Sequence, residues 1–578
     1  MIREQIIKAV QKVTDEKDVR LETPEAREHG DYSSNIALVL AKKRKKRPRD
    51  LANEIIKKLK KDRELAKIVS KIEVAGPGFI NFWLSKETIL DELRKVLKLG
   101  EKYGSSNLGK RKTVVIDYSS PNIAKRFGIG HMRSTIIGQA LYNLYSFLGY
   151  KVIGDNHLGD WGTQFGTLLA QIRISNIEIR NLNIEKLEKL YVEFNKKAKD
   201  NPKLWDEARA WFKKLEDGDV EARRTWKQIV EISKKEFERI YDLLGIKIDK
   251  SFGESFYEDK MKAIVDELCQ KGLSKKSKGA EIVEFDDLPP AMLIKSDYAT
   301  TYYTRDLATV KFRVEKFKPD IIIYEVGSEQ KLHFKQVFAT AGLMGWLKTT
   351  KLVHVAHGLI RFKEGKMSTR RGQSVMLEDI LDESIKRAKK IIEKSEMSRG
   401  LPKKEKDAVA KTVGIGAIKY FDLSHHYSSD IIFDWEKMFV LEGNSAPYLQ
   451  YTHVRTQSVL RKANGKWKVE SGKLNSQFSN FNFQFNKEEL AVLRSLVHFP
   501  EVIEDCARAY SPNLLCNYLF GLAQKYNTFY NQHRILPSQI TNHKSQITSE
   551  FRLALTSATG QTLKNGLRLL GIETPRKM

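Results

Sequence analysis

Residues 113–131 read Thr-Val-Val-Ile-Asp-Tyr-Ser-Ser-Pro-Asn-Ile-Ala-Lys-Arg-Phe-Gly-Ile-Gly-His. Four β-branched residues in succession, Thr113–Ile116, show no polar alternation. They predict a strand buried on both faces, the pattern of a parallel sheet. A polar, glycine-bearing loop follows, and a helix is expected from near Gly130 to about Gly149.

Working outward, Lys151-Val152-Ile153 opens another strand, and Ile321–Tyr324 and Lys351–Val355 are two more, each followed by a loop containing glycine. Strands alternating with helices predict a doubly wound, Rossmann-like parallel sheet. Residues 106–400 are assigned to it, with a mostly helical insertion at about 170–300 that includes a hairpin, Glu281–Ile294, around Pro289-Pro290. Residues 1–105 start with an amphipathic helix carrying Ile2, Ile6, Ile7 and Val10 on one face. Strands at Ile72–Val74 and Phe79–Leu84 then flank a Gly76-Pro77-Gly78 turn, a small α+β domain. From 401 to 578 helical periodicity prevails, with Tyr518, Phe529 and Tyr530 at helix spacing, and an all-helical bundle is expected. The fold class is therefore multidomain α/β.

A length of 578 residues suits several domains, and 41% hydrophobic content excludes wholesale disorder. No apolar stretch approaches the roughly 20 residues of a membrane span. The N-terminus does not read as a secretory signal, so a cytoplasmic protein is expected. Cys269, Cys506 and Cys516 form neither CxxC pairs nor a disulfide framework. The formal net charge of +28 points to a polyanionic partner. The excess is spread out: residues 1–110 hold 26 basic and 17 acidic side chains, and residues 401–578 hold 23 and 15. The basic run Lys42–Arg49 is expected to meet RNA at the surface.

Several stretches carry chemistry. In Asp117–His131 a strand hands over to a helix N-terminus, where open α/β sheets bind phosphate. Gly128 and Gly130 allow close backbone approach, and Lys125 and His131 are donors suited to phosphoryl charge. Neither GxGxxG nor GxxxxGK[ST] is present. Gly365–Gly372 sets Lys366, Arg370 and Arg371 between glycines, a loop suited to close over polyphosphate. Gly154–Gly166, polar and glycine-rich directly after a strand, reads as a pocket wall. Thr301–Asp306 and Val326–Gln330 combine carboxylates with a tyrosine and an amide, which suits a guanidinium.

In this order the strings resemble the class I aminoacyl-tRNA synthetases, and the arginyl-tRNA synthetase family in particular. The matching pieces are Ser119–Lys125, Asp155–Gly166, Thr301–Asp306, Val326–Gln330, Lys366–Gly372 and Glu442–Arg455. The likeness runs from His29-Gly30-Asp31-Tyr32 to Gly566–Met578. It implies an AMP-forming ligase, in which the carboxylate of L-arginine attacks the α-phosphorus of Mg·ATP. The 3′-terminal ribose of tRNA(Arg) then takes the arginyl group.

The implied catalytic residues are His131, Lys125 and Lys366. The implied ATP contacts are Gly128, Gly130, His131, Gly327, Lys366, Met367 and Ser368. The implied arginine pocket is Asp117, Ser120, Asn122, His131, Tyr302, Asp306 and Gln330. Mg2+ is expected only with ATP, with no resident metal. The implied partners are tRNA(Arg), L-arginine and ATP, with no membrane, and a monomer is expected. In such proteins the helical C-terminal domain grips the anticodon, here with Tyr451 or Tyr530 as stacking candidates, and the first domain touches the outer corner of the tRNA.

Three positions depart from the family pattern. Gly128 stands where the motif begins with histidine, Arg126 where proline is usual, and His357 where an aromatic is common. The loop after Lys366 has Thr369 where its last lysine would stand, and Lys125 is the expected compensation. Arg126 could replace the lost imidazole as a cation. The alternative raised by Gly128 is a catalytically silent tRNA-binding relative.

Overall fold

The computed structural model describes residues 1–24, 27–296, 300–362, 375–395, 398–463, 484–536 and 543–578. The chain opens with α1 (Ile2–Thr14), which buries Ile6 and Val10 and leans Ile2 and Ile7 on the same core. β1 (Tyr32–Ser34), α2 (Ile36–Ala41), α3 (Pro48–Leu59) and α4 (Arg63–Ile68) follow. β2 (Val69–Ala75) and β3 (Phe79–Leu84) complete an antiparallel sheet in the order β1–β3–β2, and α5 (Lys86–Leu99) leads out of it. The basic run joins α2 to α3, and all its cations are exposed.

The central sheet is built from β4 (Thr113–Asp117), α6 (Ile129–Phe147), β5 (Lys151–Asp155) and, after the insertion, later strands. The insertion comprises α7 (Thr163–Ile174), α8 (Ile184–Asp200), α9 (Leu204–Asp217), α10 (Val220–Leu244) and α11 (Glu258–Gln270). It ends in an antiparallel sheet of β6 (Lys275–Ser277), β7 (Ala280–Val283) and β8 (Ala291–Ile294), and β7 and β8 are the predicted hairpin. Then come α12 (Tyr302–Phe317), β9 (Ile321–Gly327), α13 (Lys331–Leu343) and β10 (Lys351–His357). The strand order is β10–β9–β4–β5, all parallel. Val114, Val115 and Ile116 are fully buried, as a strand covered on both faces requires. The crossovers send the carboxyl ends of β4, β9 and β10 to one edge.

β11 (Ile360–Phe362), α14 (Leu377–Lys394) and α15 (Lys403–Leu423) lead to β12 (Ile431–Phe433). The helical expectation from residue 401 thus meets an exception, because β12 pairs in parallel with β11. α16 (Trp435–Met438) and α17 (Ala446–Lys462) precede three long helices, Lys487–Ala509, Asn513–Gln532 and His543–Leu569. These pack back on the first residues: the Arg3 guanidinium donates to both oxygens of Asp505 at 2.6 and 2.9 Å. No described helix is long and apolar enough to cross a membrane.

Candidate active site

The loop after β4 is held in an uncommon conformation. Ser119, Ser120 and Ala124 all have positive φ (74°, 46° and 62°). Such backbone costs about 1–3 kcal/mol per residue and persists only where its surroundings over-determine it. Here they do. Ser119 N–H donates to Ser134 Oγ of α6 (2.9 Å), Ser120 N–H to Asn156 Oδ1 (3.0 Å), and Ala124 N–H to Ser233 Oγ of α10 (2.9 Å). Asn156 Nδ2 also donates to Tyr241 OH, which is hydrogen-bonded to Ser119 Oγ. Several polar residues of the Gly154–Gly166 stretch therefore brace the loop and the insertion. Asp160, for instance, accepts from Ser255 N–H and Oγ, both at 2.8 Å.

Three buried charges lie at the floor. Asp117 ends β4, Asp155 ends β5, and Arg313 reaches both from α12, with nitrogen–oxygen distances of 2.8 Å to each carboxylate. Arg313 is wholly buried; burial, with the field of Asp117, raises the Asp155 pKa, and the two carboxylates hold Arg313 charged against its own burial. Ser120 Oγ donates to Asp117 Oδ1 at 3.0 Å. Both Asp117 and Asp306 are expected to face a substrate guanidinium, but Asp117 already meets a guanidinium of the chain itself.

Asp306 is differently placed. It is partly exposed, and its Oδ2 is 2.5 Å from His333 Nε2 of α13. Despite burial, the hydrogen bond from His333, with the fields of His333, His157 and Arg313, holds its pKa below the ordinary carboxylate value. It is an ionised acceptor at neutral pH. Nearby, burial pushes Glu254 up to about 7, and Arg305 of α12 lies between Glu254 (3.6 Å) and Glu258 (2.7 Å).

The remaining predicted arginine contacts are less gathered. Tyr302 is 68% exposed with Arg305 over its ring, Asn122 bridges to Gly159, and Gln330 is exposed at the start of α13. Among the described residues no hydrogen bond joins these three to Asp117 or Asp306. Sequence reading missed Arg313 and His333. The signals were there: Arg313 lies two helical turns beyond Asp306, and His333 one turn beyond Gln330.

At the mouth, Gly128 caps α6, and its N–H donates to His131 Nδ1 at 3.3 Å. Burial first, then the charge of Lys125, lower the His131 pKa, so the ring is neutral at pH 7. With Nδ1 accepting, the ring proton sits on Nε2, a donor for phosphate oxygen beside a helix N-terminus. Gly130 has open space at its Cβ position. Lys125 lies over the Tyr191 ring (5.5 Å) and Arg126 Nε donates to Glu188 (2.8 Å), both partners on α8. Gly327 closes β9 beside this edge. Lys366, Met367 and Ser368 lie outside the described residues. The flanking Val375–Leu377 pairs with the Gly128 turn, through Ile129 N–H to Val375 O and Leu377 N–H to Phe127 O.

His357 Nδ1–H donates to the Glu325 carboxylate at 3.0 Å, and Asp422 lies 3.3 Å from Arg133 of α6. This buried cluster docks α15 on the sheet.

The C-terminal helices form a basic groove of about 870 Å³ lined by Arg399, Arg461, Lys462 and Arg534 among others. Within it Arg455 is flanked by the rings of Tyr451 (5.0 Å) and Tyr530 (4.9 Å), while Phe529 is buried in the core.

Comparison with known proteins agrees with this layout. Residues 92–435 match the family model described as tRNA synthetases class I (R), catalytic domain. Residues 449–578 match the DALR anticodon binding domain, and residues 1–84 the arginyl tRNA synthetase N terminal domain. The arginine–tRNA ligase of Halothermothrix orenii is 40% identical over 96% of this chain and 95% of its own length. That of Fusobacterium nucleatum is 41% identical over 95% and 93%. The crystal structure of the arginyl-tRNA synthetase from Plasmodium falciparum superposes with a TM-score of 0.83 at 26% identity, covering 100% of this chain and 98% of that one. The Thermus thermophilus arginyl-tRNA synthetase (22% identical, TM-score 0.81, each chain wholly covered) shares the fold. With its three domain models in order and full-length relatives at this identity, the chain belongs to the class I arginyl-tRNA synthetase family.

Proposed function

We propose that the chain is an arginine–tRNA ligase. It activates L-arginine with Mg·ATP to arginyl-adenylate and transfers the arginyl group to the 3′-terminal ribose of tRNA(Arg), releasing AMP and pyrophosphate. The observation that carries this is the full-length likeness to arginine–tRNA ligases. A silent relative would require the match over residues 92–435 to persist without chemistry, and the ligase reading needs no such assumption.

The site geometry divides the roles. Asp306, ionised and partly open, takes the substrate guanidinium, with Tyr302 and Gln330 at its rim. Asp117, Ser120 and Asn122 serve the other end, where Asp117, already tied to Arg313, offers its field to the α-ammonium. His131 donates its Nε2–H to the triphosphate, Gly128 and Gly130 leave room for the nucleotide, and Gly327 meets it through its backbone. Lys125 releases Tyr191 to reach phosphate, and Lys366, Met367 and Ser368 close on it. Mg2+ enters with ATP as part of the substrate. The protein's work is positioning and charge stabilisation at the reacting phosphorus.

Residues 1–105 meet the tRNA through the exposed Lys42–Arg49 run, residues 106–400 carry the chemistry, and residues 401–578 grip the anticodon loop. Aromatic rings beside Arg455 suit splayed bases. The protein acts in the cytoplasm as a monomer.

Charging a tRNA(Arg) transcript with labelled arginine, with lysine as control, tests the reading. Arginine-specific charging is expected. Tight tRNA binding with no charging under any condition would establish the silent relative instead.

A further inference from the structure

The partner of Asp306 is the residue that nothing above assigns to the reaction. α12 carries Asp306 and α13 carries His333, and the two helices meet so that His333 Nε2 lies 2.5 Å from Asp306 Oδ2. It is the only hydrogen bond to Asp306 among the described residues. The imidazole is itself held. It stands edge-on to Tyr303 (6.3 Å) and Phe334 (5.4 Å), and Tyr303 OH is hydrogen-bonded to Thr340 further along α13. Gln330 caps α13 and His333 is the helix's third residue, so one helical turn carries a proposed arginine contact and the Asp306 partner together.

The contrast with Asp117 is informative. Asp117 meets Nη1 of Arg313, a group of the same shape as the substrate side chain, at Oδ2 (2.8 Å), and its Oδ1 accepts from Ser120 Oγ, so both of its oxygens are engaged. A single imidazole nitrogen makes a different demand. A carboxylate has about four lone-pair positions, and one donor on Oδ2 leaves Oδ1 free and one position on Oδ2. Of the three positions that remain, a guanidinium uses one on each oxygen in a bidentate pair.

We propose that His333 is a positioning residue for amino-acid recognition: its hydrogen bond fixes the plane of the Asp306 carboxylate so that the two oxygens present a fork to the arginine guanidinium. The inference rests on Asp306 being the guanidinium's partner. Its consequence is selective. A fixed carboxylate plane favours a planar two-pronged cation and gives nothing extra to a point charge such as a lysine ammonium. Nucleotide binding lies with other residues and does not depend on it.

The test is steady-state arginylation of tRNA(Arg) by the full chain, with arginine and ATP varied separately. H333F keeps the ring packing against Tyr303 and Phe334 and removes the donor. Gln at 333 can place an amide N–H where Nε2 was, so H333Q is the rescue variant. For H333F the arginine KM is expected to rise about 10- to 150-fold, the loss of one hydrogen bond to a charged group, while the ATP KM and kcat stay within about twofold. For H333Q the arginine KM is expected within about threefold of wild type.

D306N, run alongside, separates the two claims. If D306N raises the arginine KM strongly and H333F leaves it unchanged, His333 has no positioning role. If H333F raises the KM values for arginine and ATP equally, its role is structural and the proposal is wrong. If D306N leaves the arginine KM unchanged, the Asp306 assignment itself falls, and the positioning role falls with it.

Discussion

Replacing Gly128 by histidine should accelerate arginine activation, and the structure sets the terms. A Cβ placed on Gly128 would find its nearest neighbours at ordinary contact distance, Val375 O at 3.8 Å and His131 Nδ1 at 3.9 Å. The backbone there (φ −85°, ψ 163°) is extended and open to any residue. The helix-capping change costs at most about 1 kcal/mol. A preorganised donor aimed at transition-state charge is worth about 2.7–4 kcal/mol, or 10²–10³ in kcat. Because the donor acts mainly in the transition state, kcat should rise while the KM values for arginine and ATP move little. The assay is arginine-dependent ATP–pyrophosphate exchange with saturating tRNA(Arg), and a rise in kcat on the order of 10² is expected. Arg126 is the internal control. Its Nε is held by Glu188 at 2.8 Å, so it is not poised to replace the imidazole, and R126A should cost little in either background. A folded G128H protein with unchanged kcat would refute the argument. So would R126A abolishing exchange in the wild type alone, because Arg126 would then already supply the missing donor.

Three further outcomes follow from the same geometry. R313M strands two buried carboxylates without their cation and should cost about 3–5 kcal/mol of stability, read as a lower urea midpoint; an unchanged midpoint would show that Asp117 and Asp155 are not coupled through Arg313. Glu254 is pushed from 4.5 up to about 7 by burial, so the folded chain holds a proton there that the unfolded chain has lost. Stability should therefore fall by about 3 kcal/mol as pH rises from 4.5 through 7, and E254Q should flatten that loss in melts taken across the window. Tyr530→Ala should weaken tRNA(Arg) binding by about 1–3 kcal/mol, the range for one stacked base, in a filter-binding titration; unchanged binding would move the anticodon contact away from the Arg455 groove.

Much of the fold was legible because its signals are local. The unbroken run Thr113–Ile116 became a central strand of the parallel sheet, and Lys151–Ile153, Ile321–Tyr324 and Lys351–Val355 became its neighbours. The hairpin around Pro289-Pro290 and the turn at residues 76–78 were likewise written in proline and glycine. β12 was not legible, because three residues inside a helical stretch acquire strand geometry only from their pairing with β11. The site divided in the same way. Asp117, His131 and Asp306 stand at strand or helix ends that sequence periodicity locates. Arg313 looks from sequence like one cation on the face of a helix rich in charge, and its partner Asp155 is 158 residues away. The polar residues of Gly154–Gly166 suggested a pocket wall, whereas Asn156 and Asp160 largely brace backbone.

The hidden arginine bears directly on specificity. One guanidinium stands against two carboxylates at the floor, and Asp306 adds a third negative charge nearer the surface. The interior thus keeps an excess of negative charge that a cationic amino acid relieves. Charge alone would admit lysine as readily as arginine, and a flexible pair of carboxylates would pair with either. Arg313 removes that ambiguity at one end, because it occupies Asp117 and leaves a single open carboxylate for the side chain. His333 removes it at the other, by holding that carboxylate in one plane. Discrimination between two cations of equal charge then becomes a matter of shape, and shape is what two mutually packed helices, α12 and α13, are rigid enough to read.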